Sequence, residues 1–393
     1  MAPFRFLNIS WMEPPTSSKS ERPIFSSPIE GWPDALLNLY SPRAMAKRAT
    51  KAAPGALPDV TIVIEWENAI DVQDKWTMAA MAALEREIIA VAPRMSARPR
   101  IMYLYDRNRV DPALIENAIG STAPRLRGLA DLEIVPTDGL TYYKLKNFGI
   151  ARAKTDLSIM LDSDAAPQPG WLENLIKPFA DSTIMAVGGF TVLGYDDLLS
   201  RTFALSWIFD IREEREKTVK REKIHANNCA VRTDFFRKNP FPDMPAFKKQ
   251  CGFWLRDLIA NGYHYTRTAD AMTVHAPHPG YRFLVWRAWT MGLDRDYFAF
   301  QLATHNRVGR VGYAFKSFGG KVGKSWWRIW TRGRNVDLPI WQRPAAMLIT
   351  LGFYGIGLAG EIRSALTRSF EPLPRPNAER HRIDAPENEP ATA

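Results

Sequence analysis

The sequence predicts an α/β fold: a mostly parallel sheet flanked by helices, followed by a basic, aromatic segment and an apolar helix. Three observations predict it. Between residues 60 and 161, short β-branched runs alternate with longer segments of helical spacing, the pattern of successive βαβ units. The 393 residues are 46% hydrophobic and 24% charged, a globular balance that excludes collagen, coiled coil and wholesale disorder. The two cysteines, Cys229 and Cys251, are too few for a disulfide framework, so packing must supply the core and a reducing compartment is implied.

The elements follow in order. Residues 1–57 hold many Pro and Ser and form an N-terminal extension, helical from Trp32 to Ser41, where Pro42 argues for a break. The opening stretch lacks the charged and apolar regions of a signal peptide. Val60–Glu65 (VTIVIE) is the first strand, and Asp74–Val91 a helix of strong helix formers with apolar residues at helical spacing. Arg100–Tyr105 is the second strand, Pro112–Ile119 a short helix and Leu132–Pro136 the third strand. Lys144–Ala153 is helical and Leu157–Leu161 is the fourth strand. Right-handed crossovers would make these strands parallel, with ligands beyond their carboxyl ends. The main domain spans residues 58–300.

The charge is localised. The chain carries a net +10, yet residues 58–300 hold 31 basic and 31 acidic side chains. Residues 301–343 hold 9 basic and 1 acidic, together with Trp326, Trp327, Trp330 and Trp341. A nucleic-acid enzyme lines its cleft with basic residues. This surplus is instead a local patch, suited to an anionic membrane surface, and nucleic acid is not expected as a partner. Residues 344–363 form an apolar helix somewhat short for a span, and residues 364–393 a polar, Pro-rich, disordered tail. If the helix spans, the positive patch keeps the main domain in the cytosol; the chain is expected to be membrane-associated either way.

The stretch that carries chemistry is residues 146–179. An apolar strand runs into Asp162–Ser163–Asp164. Pro167 and Pro169 force a turn that would converge the two carboxylates, which otherwise face opposite ways. Such a pair suits Mg²⁺ or Mn²⁺, which take hard oxygen ligands and leave positions for water and substrate phosphates. A solvated Asp-Ser-Asp turn is the plain alternative.

With its surroundings this stretch resembles the family 2 glycosyltransferases of the GT-A fold. The resemblance rests on an Asn-x-Gly-x-x-x-Ala helix (Asn147, Gly149, Ala153), the apolar strand, the Asp-x-Asp triplet, a Pro, and Trp171–Leu172–Glu173. Gly188–Gly189, Asn227–Arg232, Gly262–Tyr263 and Thr273–His275 follow in the family's order. The resemblance implies transfer of a sugar from a nucleotide-diphosphate donor to a glycan, lipid-linked or other acceptor, usually with inversion. It implies that Asp164 binds the metal on the diphosphate and that Asp162 lies nearer the ribose or sugar, with Ser163 between them on the nucleotide side. Asp106 would meet the nucleoside, Lys146 the donor phosphates, and His275 would be the third metal ligand. Asn227 and Asn228 would lie on the acceptor-side strand.

Two departures stand out. The first strand ends in Glu65–Trp66–Glu67–Asn68, so Glu65 and Trp66 are candidate nucleotide contacts, Trp66 stacking on a base or on the core. Inversion onto a hydroxyl needs a carboxylate to take the proton. At the corresponding position stand Gln250 and Cys251, with Trp254 after them; Asp257 is the nearest acid. This leaves a relocated base, a different acceptor chemistry, or an inactive binding or scaffold protein that keeps the fold. A nucleotidyltransferase would need a Gly-rich loop after the first strand, and EWENAIDVQ has no Gly.

Overall fold

The computed structural model describes residues 56–215, 222–245, 248–277 and 280–370. The expected helix at 32–41 and most of the expected tail lie outside the described residues.

The strands are β1 (Val60–Glu65), β2 (Arg100–Asp106), β3 (Asp131–Thr137), β4 (Leu157–Asp162), β5 (Ala165–Pro167), β6 (Ile184–Leu193), β7 (Asn228–Arg232) and β8 (His264–His275). They form one sheet in the order β3-β2-β1-β4-β7-β6-β8-β5. The first four pair in parallel, as the βαβ alternation predicts. Beyond β4 the sheet is mixed: β7 is antiparallel to both neighbours, β6 and β8 are parallel, and β5 runs antiparallel to β8.

Alternate residues of the parallel strands enter different cores, as a pleat requires. Val60, Ile62, Ile64, Ile101, Tyr103, Leu157, Ile159 and Leu161 face one side, with α1 (Asp74–Val91). Val63, Met102, Leu104 and Met160 face the other, where α4 (Tyr142–Arg152) packs. Between α1 and α4 lie α2 (Pro112–Thr122) and the short α3 (Leu126–Leu129).

The Asn-x-Gly-x-x-x-Ala segment is a packing device. A Cβ on Gly149 would strike the side chains of Val63 and Leu104, so glycine sets how closely α4 meets β1 and β2. Asn147 exchanges two hydrogen bonds with the backbone of Phe241 (2.9 and 3.0 Å), tying α4 to the loop after α7 (Thr233–Lys238). Likewise α5 (Trp171–Ile176) buries Trp171, whose Nε1 donates to Asn228 at 2.8 Å. Next along the chain is α6 (Leu198–Ser206), and α8 (Gln250–Ala260) precedes β8.

The basic segment proves to be helical. After α9 (Tyr281–Leu302) comes α10 (Arg307–Arg332), then α11 (Arg343–Thr367), which runs past the expected end at residue 363. The sheet and these three helices belong to one compact unit. Buried ion pairs fasten the helices together: Arg295 to Glu361 at 2.8 Å, and Arg310 to Asp296 with a second bond to the Ser364 carbonyl. Among the described residues, Ile340–Thr367 is the one helical stretch long and apolar enough to cross a membrane.

A candidate metal centre at the carboxyl ends of β1 and β4

Sheet register builds the site. Glu65 and Asp162 are partners at the carboxyl ends of β1 and β4. The chain turns through Ser163 and Asp164 and resumes as β5, where Ala165 pairs with His275 at the end of β8. The Ala276 N–H donates to the Asp164 carbonyl at 2.8 Å and closes the corner. The two carboxylates and the imidazole therefore converge, their ligand atoms within 4.8 Å of one another. The turn is not made by the prolines, as expected from sequence: Pro167 sits in β5, and the left-handed Gly170 starts α5.

His275 Nδ1 lies 2.8 Å from the Ala276 carbonyl, which assigns the proton to Nδ1. Its Nε2 lone pair then faces Asp164 Oδ1 at 3.4 Å. That oxygen is buried and has no hydrogen-bond partner, as is Ser163 Oγ. Two acceptors facing each other in a dry corner call for a cation between them. Two hard carboxylates and one imidazole, oriented by a backbone carbonyl, fit a divalent ion.

Asp162 is held by many donors. Lys146 Nζ reaches Oδ1 at 2.7 Å, the Tyr142 hydroxyl at 2.9 Å, and Asn68 Nδ2 reaches Oδ2 at 3.1 Å. Burial alone would push this carboxyl up; Lys146, which also donates a hydrogen bond, and Lys248 outweigh it and hold it below the usual range. Burial raises Asp164, and the repulsion of Asp162 adds to it. Burial and then Asp162 drive Glu65 well above the ordinary carboxylate range. Asn68 donates to both Glu65 and Asp162, bridging them.

Several expected contacts are corrected. Lys146 is fully buried and spends its ammonium on Asp162 and the Leu161 carbonyl, so it positions Asp162 rather than reaching toward phosphates. Trp66 is buried edge-on against Tyr103 in the core and presents no face to a base. Asn228 is a structural cross-link, accepting from Trp171 and donating to the Phe190 and Ala271 carbonyls. Asn227 accepts from Thr191 in the same buried layer. Trp254 packs among Phe235, Phe236 and Phe241 and donates to the Asn239 carbonyl, so it is core rather than acceptor surface. Asp257 pairs with Arg256 at 3.1 Å, about two turns of α8 beyond Gln250, and is not brought to the site. Cys251 accepts from the Tyr143 hydroxyl at 3.2 Å, and burial pushes its thiol up, away from service as a base. Asp106 ends β2, accepting from Asn108 at 3.0 Å, on the same sheet edge as Glu65. Gln250 is a buried first residue of α8.

Tyr142 and Lys248 escaped the sequence reading. The Lys248 ammonium sits 3.3 Å from the centre of the Tyr142 ring, whose hydroxyl meets Asp162. One signal was present: Tyr142 is one helical turn before Lys146, on the same face.

Residues 134–239 match the family described as Glycosyl transferase family 2. The chain carries a family 2 glycosyltransferase domain. The matched segment runs from β3 through α7, so it contains Lys146, the Asp162–Asp164 turn and Asn228, while β1, α8 and His275 lie outside it. The sheet flanked by helices is of the GT-A type expected for this family. Among solved structures, a mannosyltransferase from Pyrobaculum calidifontis in complex with GDP-Man and Mn²⁺ shares 15% identity at a TM-score of 0.48, covering 85% of this chain and 95% of that one. A mycobacterial protein shares 13% identity at a TM-score of 0.41, covering 63% and 75%. No curated protein matches the glycosyltransferase chain.

Proposed function

We propose that this glycosyltransferase moves a sugar from a nucleotide-diphosphate donor, with inversion and with a divalent cation, Mg²⁺ or Mn²⁺, at the cytosolic face of a membrane. The observation that carries the reading is the Asp162–Asp164–His275 cluster at the carboxyl ends of the strands, both of its carboxylates within the matched glycosyltransferase segment. Asp164, His275 and Asp162 would hold the cation. A bound divalent cation supplies Lewis-acid neutralisation of charge on the leaving diphosphate. Lys146, Tyr142 and Asn68 keep Asp162 ionised and fixed in orientation. Glu65, with its carboxyl raised, would offer a protonated oxygen to a ribose or base, and Asp106 would accept from the nucleoside. The positive α10 and the apolar α11 support membrane attachment.

The test is a panel of nucleotide sugars with Mn²⁺ or Mg²⁺, read as nucleoside diphosphate release and as thermal stability. A ligand at a hundredfold its dissociation constant stabilises a fold by about 2.7 kcal/mol. Saturating Mn²⁺ should therefore raise the melting temperature of the wild type and leave Asp164→Ala unmoved, and that variant should lose about two orders of magnitude in turnover. Equal turnover in Asp164→Ala would remove the metal role. Metal-dependent binding of nucleoside diphosphate without turnover on any donor would favour the inactive, binding-protein reading, which the acid-free first turn of α8 keeps in view.

A further inference from the structure

Resting on the transfer reading above, we propose that the acceptor is a phosphate monoester, bound by cations that occupy the place where a hydroxyl acceptor would need a base. The first turn of α8 contains no acid. Gln250 is neutral, burial keeps the Cys251 thiol protonated, and Asp257 is tied to Arg256 farther down the helix. A carboxylate does pack against this turn: Asp294 of α9 accepts from the Lys248 N–H at 3.2 Å and lies 3.9 Å from Arg287, which holds it as an anchor for the turn.

What the turn projects is positive charge. Lys248 points to the metal centre, one tyrosine ring from Asp162. Lys249 is one of the few non-glycine residues with a left-handed backbone, φ 85°. That conformation strains an L-residue, and strain of this kind collects at functional sites. The kink sends the neighbouring lysines apart: Lys249 lies 4.4 Å over the Phe298 ring, among residues of α9. Arg295 and Arg287 of α9 lie beside it, paired with Glu361 and Asp294, while burial lowers the Lys249 ammonium to about 8 and that of Lys321 in α10 well below the ordinary lysine value. Lys248 and Lys249 thus lead from the metal centre to α9, and α10 exposes Phe315, Trp327 and Trp330 on its outer side.

The chemistry agrees with this arrangement. A phosphate monoester is largely a dianion at neutral pH, its second ionisation lying near pH 6. An oxygen of that dianion forms the new bond to the anomeric carbon. The bond from that carbon to the donor's diphosphate breaks, and its electron pair leaves on the nucleoside diphosphate. The attacking oxygen carries no proton, so no carboxylate base is required, and the products are a glycosyl phosphodiester and the nucleoside diphosphate. The lysines would hold the acceptor's charge close to the donor's, a repulsion that a carboxylate at this turn would worsen.

The full chain in detergent micelles, with the donor panel above, is offered decyl phosphate, glycerol 1-phosphate or decanol. Release of nucleoside diphosphate to water, without acceptor, reports the transfer reading by itself. The expected result is glycosylation of the phosphates at least about a hundredfold faster than of decanol, the gap a missing base makes for a hydroxyl. Decyl phosphate exceeding glycerol 1-phosphate identifies a lipid source, and the reverse a soluble one. Lys249→Gln should raise KM for the better phosphate about tenfold with a smaller change in kcat, and Lys249→Arg should keep the wild-type KM. Decanol used as fast as decyl phosphate, no phosphate glycosylated while the donor is still hydrolysed, or an unmoved KM in Lys249→Gln overturns the phosphate acceptor and leaves the transfer reading standing. No turnover of any donor overturns both.

Discussion

Glu65 is a carboxyl that the fold keeps partly against its will. It is fully buried, and its register partner Asp162 is held ionised by Lys146. Its folded pKa is raised, so the native state binds a proton more tightly than the unfolded chain does. Stability from this group is then present below the unfolded value and is lost as pH rises through the folded one. Glu65→Gln removes that loss. Melting temperatures of the variant and wild type should be similar near pH 5 and diverge in the variant's favour toward pH 8; a constant difference across that range would contradict the raised carboxyl. The same neighbourhood shows what a sequence can reveal. The convergence of Asp162, Asp164 and His275 is readable because the triplet is local and Asp162 and His275 each end a strand. The roles of Lys146 and Tyr142 are not readable, because nothing in their spacing says that α4 lies over the end of β4. Asn228 and Trp254 mislead for the same reason: residues in a familiar order can serve packing, and only their partners tell.

At the scale of elements, the βαβ half is legible because each strand is a short, mostly apolar run and each crossover helix has its own period. The mixed half is not, since the β4–β7, β6–β8 and β5–β8 pairings join distant segments through contacts that leave no local pattern. The helix α10 is obscured by its five glycines, Gly309, Gly312, Gly319, Gly320 and Gly323, each costing about 1 kcal/mol of helix propensity. Its tertiary contacts with α11 and the buried Arg310–Asp296 pair override that cost. Gly149 is the reverse case, a glycine that a helix requires. Gly149→Ala should drive α4 off β1, destabilising the fold by about 1–3 kcal/mol as overpacking does. Urea unfolding would check it, and an unchanged midpoint would show that Val63 and Leu104 can move aside. Because α4 also carries Lys146 and Tyr142, the same substitution should weaken Mn²⁺ stabilisation.

For the whole molecule, the proposed membrane attachment has to agree with the packing of α11. Its buried residues recur along one face from Arg343 through Ala346, Thr350, Phe353, Gly357 and Glu361 to Ser364. That face is docked on α9 and α10 over its length, and the Tyr354 hydroxyl bonds the Ser206 carbonyl at the end of α6. A Cβ at Gly292 of α9 would strike the Gly357 carbonyl, so the two helices meet backbone to backbone. Were α11 to span, it would carry α9 with it, and Arg287, Asp294, Arg295 and Asp296 each cost about 2.5–3.5 kcal/mol at the bilayer centre before pairing. Lying in the interface costs much less. The exposed Phe315, Trp327, Trp330, Ile340, Trp341, Leu348 and Leu351 would enter the headgroup boundary, with exposed Lys316 and Arg334 on anionic lipid. The expected behaviour is sedimentation with vesicles containing phosphatidylserine, little with phosphatidylcholine alone, and release by raised salt or alkaline carbonate without detergent. Trp330→Ala with Trp341→Ala should weaken vesicle binding by about tenfold while leaving the melting temperature near the wild type, since both rings are exposed. Resistance to carbonate would instead mean that α11 spans, and no affinity for anionic vesicles would leave the positive charge of residues 301–343 without a membrane role.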